Sequence, residues 1–172
     1  MLIYVSGGSG SGKSAFAESL IETSGLRERA YIATMEAWGE EGRRRILRHR
    51  QMRAGKGFTT YECPRNLAAL ELPKGGAVLL EDVSNLFANE WFGGCREIAV
   101  ERVLAGVEHL VSCAELVVLV GNDIFCDGVE YDTETQSYLF ALAALNCRLA
   151  ELSQRAYEVV CGIPILQKGE QT

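Results

Sequence analysis

The sequence has no apolar run near the ~18 residues that a membrane-spanning helix requires. Its six cysteines form no C-x-x-C pair and have no neighbouring histidine at zinc-ligand spacing. Free thiols in a reducing compartment are therefore expected, with Cys113, Cys147 and Cys161 in apolar stretches acting as small hydrophobes. The opening Met1-Leu2-Ile3-Tyr4-Val5 lacks a basic n-region and turns glycine-rich at once, so no secretory signal is expected and a cytoplasmic location is. Basic residues are outnumbered, 17 Lys+Arg against 23 Asp+Glu, for a formal net charge of −6. General nucleic-acid or membrane-surface binding depends on a cationic footprint, which such a chain lacks. There is no linker-like stretch and no repeat at solenoid spacing. What remains is 172 residues, 48% hydrophobic, expected to form one domain spanning 1–172 around a real core.

Apolar runs alternate with helical patterns, the rhythm of an α/β fold with a mostly parallel sheet. Strands are expected at Leu2–Ser6, Ala30–Thr34, Ala77–Glu81, Leu116–Gly121 and Tyr157–Gly162, with a weaker one at Thr59–Glu62. They are rich in Val, Ile and Leu without clean alternation, as strands covered on both faces are. Helices are expected at about 13–24, 37–54, 84–91, 96–112 and 134–152; the last carries Leu139, Leu142, Leu145, Leu149 and Leu152 as a core-facing stripe. Ile163-Pro164-Ile165-Leu166 reads as a tight turn into an antiparallel edge strand. Residues 126–136 read as a long acidic loop.

Gly7-Gly8-Ser9-Gly10-Ser11-Gly12-Lys13-Ser14 satisfies G-x-x-x-x-G-K-[ST] between a strand and a helix. That is the context a P-loop needs, and it makes the expected fold a P-loop NTPase-type three-layer one. Glycines let the backbone turn its N–H groups inward on an anion, and the helix N-terminus adds positive potential behind it. Lys13 would reach the β- and γ-phosphates of ATP or GTP, and Ser14 would ligate Mg²⁺. Ala77-Val78-Leu79-Leu80-Glu81-Asp82, an apolar strand ending in acid, would place a carboxylate beside that ion. Strand register decides whether Glu81 or Asp82 faces it, and both stay open as metal ligands.

Residues 43–53 hold six arginines and His49 in an otherwise acidic chain. On a helix Arg45, His49 and Arg53 recur every four residues and stack along one face, drifting by ~40° per step. Guanidiniums there could clamp phosphates, and a neutral imidazole could attack an α-phosphate and carry a nucleotide. A solvated basic face or a local nucleic-acid patch accounts for the same charges.

Taken together, the opening strand with Gly7-Gly8 and Ser11-Gly12-Lys13-Ser14, then Tyr31-Ile32-Ala33-Thr34, Arg45-Ile46-x-x-His49-Arg50-x-x-Arg53, Leu79-Leu80-Glu81 and Asn122 follow a recognisable order. In these pieces the chain resembles the bifunctional adenosylcobinamide kinase/adenosylcobinamide-phosphate guanylyltransferase family of cobalamin biosynthesis. The resemblance implies a kinase and guanylyltransferase, a corrinoid substrate, a homotrimer, and His49 as the residue that becomes guanylylated. By helical geometry Arg45, Arg50 and Arg53 are the candidate phosphate clamps. The chain departs from the family pattern at Ala54, where proline is common, and over Asn122–Tyr131, where the family has an acidic residue and a glycine-rich segment. A diverged P-loop kinase of another substrate, or a non-catalytic nucleotide-binding paralogue, is the alternative reading.

Overall fold

The computed structural model describes residues 1–36, 55–125 and 128–170. The expected helix over 37–54 lies outside the described residues. Element numbers below count the described ones.

Seven strands form one sheet in the order β3-β2-β4-β5-β1-β6-β7. They are β1 (Leu2–Ser6), β2 (Arg29–Ala33), β3 (Thr59–Glu62), β4 (Ala77–Glu81), β5 (Leu116–Val120), β6 (Arg155–Val160) and β7 (Ile163–Lys168). All neighbouring pairs are parallel except β6–β7, which is antiparallel and closes one edge. The central strands β1, β4 and β5 are almost wholly apolar because both their faces are covered. Ile3, Val5, Leu79, Val118 and Val120 turn to the side of α1 (Lys13–Thr23), where Ala17 and Ile21 meet them. Tyr4, Val78, Leu80, Val117 and Leu119 turn to the other side. There they pack on α2 (Val83–Glu90), α3 (Ala99–Cys113) and α4 (Thr133–Leu152). Alternate residues of each strand thus serve different layers, which is the three-layer α/β arrangement expected.

The differences from expectation have local causes. The strand expected at Tyr157–Gly162 begins at Arg155 and stops at Val160, because Cys161 and Gly162 adopt φ values of 51° and 81°. Two successive positive φ angles make the tight hairpin turn that reverses β6 into β7. Pro164 is tolerated because β7 is an edge strand. The acidic loop is shorter than expected. Helix α4 takes residues from Thr133 onward, since the Asp132 carboxylate accepts the Thr135 N–H at 2.8 Å and caps it. That bond also holds the Asp132 carboxyl below its ordinary range. Helix α2 runs through a wide turn at Trp91–Cys95, in which Gly94 has φ 94°, and a short 3-10 turn before α3 begins. The five described cysteines are free; only Cys63 is buried, whereas Cys147 and Cys161 are exposed and Cys113 is half-buried. An apolar neighbourhood in sequence did not place those thiols in the core.

The leucine stripe on α4 is real over three of its five positions. Leu142, Leu145 and Leu149 are fully buried and Leu139 partly so, but Leu152 at the helix end is 44% exposed. Leu142→Ala is expected to lower unfolding stability by about 2–5 kcal/mol. Leu152→Ala should stay within about 0.5 kcal/mol. Denaturant unfolding of both variants checks the difference.

Candidate functional site

The site is assembled where the parallel strands end. After Ser6 the chain leaves β1 through a loop that only glycine allows at Gly7. A β-carbon there would stand 2.6 Å from both the Ser11 hydroxyl and the Val159 carbonyl. Gly12, at φ 92°, starts α1 with no side-chain cap, which leaves the N–H groups of the first turn without a local acceptor. The loop is tied on two sides. Asp123 donates its N–H to the Gly7 carbonyl at 3.0 Å, and Gly162 donates to the Ser11 carbonyl at 2.8 Å. A loop held this way is organised before any anion arrives.

Lys13 is buried at 8% exposure, and its ammonium donates to the Gly8 carbonyl at 3.1 Å. It therefore lies folded across the loop, over the ground a polyphosphate would take. One helical position on, the Ser14 hydroxyl donates to Glu81 Oε1 at 2.6 Å. Strand register decides between the two acids. Glu81 follows Ala77 and Leu79 on the face of the sheet covered by α1, while Asp82 falls on the opposite parity. Asp82 also leaves the strand with φ 68° and ψ 72°. Its Oδ1 accepts from the Asn85 N–H at 2.9 Å and the Asn122 amide at 2.8 Å.

The other Glu81 oxygen, Oε2, is buried and has no hydrogen-bond partner among the described residues, and neither has the Ser11 hydroxyl. Burial pushes the Glu81 carboxyl above its ordinary value of 4.5. The Ser14 hydrogen bond pulls the other way, the charges of Asp82 and Glu18 add to the rise, and Lys13 opposes it. An orphaned carboxylate oxygen beside a serine hydroxyl at a phosphate loop is a donor set that suits a hard divalent cation such as Mg²⁺.

The described part of the chain thus brings together Gly7, Gly8, Ser9, Gly10, Ser11, Gly12, Lys13, Ser14 and Glu81, with Asp82 next in line. The remaining sequence-derived candidates, Arg45, His49, Arg50 and Arg53, lie outside the described residues. Sequence reasoning gave no role to the polar residues behind Glu81. The Thr34 hydroxyl sits 3.1 Å from the carbonyl oxygens of both Glu81 and Asp82. Asn85 and Asn89 each donate to the Thr34 carbonyl at 2.8 Å. The Asn122 N–H donates to the Ser84 hydroxyl, and the Tyr138 hydroxyl donates to the Ser84 carbonyl, both at 3.2 Å. The available signal was position: Thr34 ends the Tyr31-Ile32-Ala33-Thr34 motif, and Asn122 closes a Val-rich strand.

Comparison with known proteins gives a consistent result. A family model described as cobinamide kinase / cobinamide phosphate guanyltransferase matches residues 3–166. The bifunctional adenosylcobalamin biosynthesis protein CobU of Salmonella typhimurium is 31% identical over 181 residues, covering 96% of this chain and 98% of its own. The bifunctional adenosylcobalamin biosynthesis protein CobP of Pseudomonas aeruginosa is 34% identical over 170 residues, covering 95% of each chain. Among solved structures, a Pyrococcus horikoshii OT3 protein aligns with a TM-score of 0.55 at 11% identity, over 99% of this chain and 87% of that one. At that identity the likeness speaks for the fold alone.

A prediction follows from the raised Glu81 carboxyl. Between the ordinary and the raised value the folded protein holds a proton that the unfolded chain has lost. Stability of the cation-free protein therefore falls as pH rises through about 4.5 and beyond, until the raised value is passed. Glu81→Gln removes this penalty. It is expected to melt higher than the parent at neutral pH without divalent cations, with the gap closing on acidification below the ordinary carboxyl value. Thermal unfolding across the pH range checks this; equal melting temperatures at neutral pH would contradict it.

Proposed function

The chain belongs to the cobinamide kinase / cobinamide phosphate guanyltransferase family, enzymes of cobalamin biosynthesis, and from that membership we propose how its residues divide two reactions on a nucleotide. The reading rests on one observation above the others: Ser14 of the phosphate loop hydrogen-bonds Glu81, whose second oxygen is buried without a hydrogen-bond partner among the described residues.

In the first reaction the triphosphate of ATP or GTP lies in the loop Gly7–Ser14. Lys13 moves from the Gly8 carbonyl to the β- and γ-phosphates, exchanging a neutral acceptor for a charged one. Ser14 and Glu81 would hold Mg²⁺, with Asp82 behind them, and the ion would neutralise charge on the phosphate oxygens. The hydroxyl of adenosylcobinamide attacks the γ-phosphorus, and its proton passes to solvent water. The bond from γ-phosphorus to the bridging oxygen breaks, and the nucleoside diphosphate leaves. Backbone N–H groups and Lys13 stabilise the charge that gathers on the transferring group.

In the second reaction His49 attacks the α-phosphorus of GTP, pyrophosphate departs, and GMP remains on the imidazole as a phosphoramidate. The phosphate of adenosylcobinamide phosphate then takes the GMP and frees the histidine. Arg45, Arg50 and Arg53 serve as clamps on the phosphates in this step. The roles of these four residues come from the family resemblance and from the spacing of the arginine-rich segment. The same resemblance supports one nucleotide-binding domain over 1–172, a homotrimer and a cytoplasmic location. Among the described residues no helix is long and apolar enough to cross a membrane.

GTP labelled at the α-phosphate, with Mg²⁺ present, is expected to leave acid-labile label on the protein, and His49→Ala should abolish it. No label on the parent protein would overturn the guanylyltransferase half. Lys13→Ala should lower kcat/KM for phosphoryl transfer to adenosylcobinamide by about 10²-fold or more, the scale of losing one preorganised donor to transition-state charge. A kinase of another substrate would instead keep its turnover in His49→Ala.

A further inference from the structure

The Tyr31-Ile32-Ala33-Thr34 motif and Asn122 carry no part of the chemistry above, yet both end at the same place, the residue after Glu81. Glu81 is the last residue of β4 and Asp82 the first beyond it, in a left-handed conformation that a non-glycine residue rarely adopts. Such a conformation persists where its surroundings over-determine it, and here they do so from three elements. From the end of β2, the Thr34 hydroxyl, 2% exposed, shares its proton between the Glu81 and Asp82 carbonyls at 3.1 Å each. From the end of β5, the Asn122 amide donates to Asp82 Oδ1 at 2.8 Å. From the first turn of α2, the Asn85 N–H donates to the same oxygen at 2.9 Å, and its side-chain amide holds Thr34 in place. β2 and β5 flank β4 on either side in the sheet, so the turn is gripped from both neighbours.

We propose that Thr34 and Asn122 are positioning residues that lock Asp82 in its left-handed turn and thereby aim the Glu81 carboxylate at Ser14 and at the cation site beside it. This rests on the reading of Ser14 and Glu81 given above. The physical reason is leverage. Glu81 has three side-chain torsions and, among the described residues, one hydrogen-bond partner for its carboxylate, Ser14, so its direction depends on where the backbone sets its α-carbon. Without the Thr34 hydroxyl, two adjacent carbonyls lose a donor, and the strand end is free to continue in extended geometry. That would rotate the carboxylate relative to the phosphate loop. A misplacement of this kind weakens cation binding while leaving the loop's own grip on phosphate intact.

The test measures binding of a fluorescent GTP analogue to the full chain as a function of Mg²⁺, with the melting temperature recorded for each variant. Thr34→Val, which keeps shape and removes the hydroxyl, is expected to raise the Mg²⁺ concentration for half-maximal tightening about tenfold. Nucleotide affinity without Mg²⁺ should stay within about twofold of the parent. Thr34→Ser should restore the parental Mg²⁺ dependence, which a purely packing role for the threonine methyl would not do. Asn122→Ala, at a half-buried position, should shift the dependence in the same direction and decides the matter if Thr34→Val does not fold. Parental Mg²⁺ dependence in folded Thr34→Val or Asn122→Ala would overturn the positioning role and leave the reading of Glu81 standing. A parent protein whose nucleotide binding ignores Mg²⁺ would overturn both.

Discussion

The hydrogen bond from Ser14 to Glu81 is the contact on which the rest of the site depends, because it joins two stretches 67 positions apart in sequence. For it to form, the first turn of α1 must lie over the end of β4, although β1 and β4 are not neighbours. The strand order places β5 between them. The chain leaving β5 must therefore pass the gap without filling it. A β-carbon at Gly121 would stand 2.1 Å from the Tyr4 hydroxyl, on the face of the sheet opposite α1, so glycine there leaves room for the Tyr4 ring at the end of β5. The Gly121 N–H also pairs with the Val5 carbonyl, and Asp123 with Gly7, so the exit from β5 braces the phosphate loop on its way past. Strand order and these backbone bonds thus set the spacing that lets a loop serine meet a strand-end acid.

The electrostatics of this corner oppose one another until a ligand is present. Glu81 is half-buried, its Oε2 is buried with no hydrogen-bond partner among the described residues, and Asp82 and Glu18 add negative potential around it. Lys13 is buried too, and is satisfied by a neutral carbonyl rather than by a carboxylate. Burying charge without full compensation is costly, and groups in that position change protonation or take up ions. A triphosphate with a divalent cation resolves both ends together, since it gives the ammonium an anion and the carboxylate a cation. The net charge of −6 is compatible with this chemistry because it describes the whole surface, whereas binding responds to the few groups within a Debye length of the phosphates.

Much of this was legible in the sequence where a residue's role is set by its immediate neighbours. The spacing from Gly7 to Ser14 encodes a backbone shape that few other sequences can take, and the apolar runs of β1, β4 and β5 encode strands buried on both faces. Roles set by distant partners were not legible. Glu81 and Asp82 are chemically near-equivalent as written. Their separation into one residue facing Ser14 and one gripped by Asn122 and Asn85 follows from register and from a φ of 68°, neither of which propensity encodes. The end of β6 was misplaced for a similar reason, since Cys161 at φ 51° takes a conformation expected of glycine or asparagine. Cys147 fell outside the core because it stands two and five positions from the buried Leu149 and Leu142, off the stripe that faces the sheet.

Under the proposed reading, two reactions at one nucleotide site impose a constraint that the phosphate loop alone does not meet. Its N–H groups and Lys13 would surround the terminal phosphates, where a kinase needs them, because the γ-phosphorus is the atom transferred. Guanylyl transfer reverses the requirement. The β- and γ-phosphates then leave together as pyrophosphate, and the same grip stabilises the charge on the leaving group while attack falls on the α-phosphorus. One rigid cradle can therefore serve both reactions unchanged, provided that the attacking groups differ: a substrate hydroxyl at the γ end and a protein nucleophile at the α end. Under the proposed reading this division explains why His49 stands in its own arginine-rich segment rather than in the loop. A nucleophile for the α-phosphorus must come from outside the cradle, with its own cations to offset the charge there.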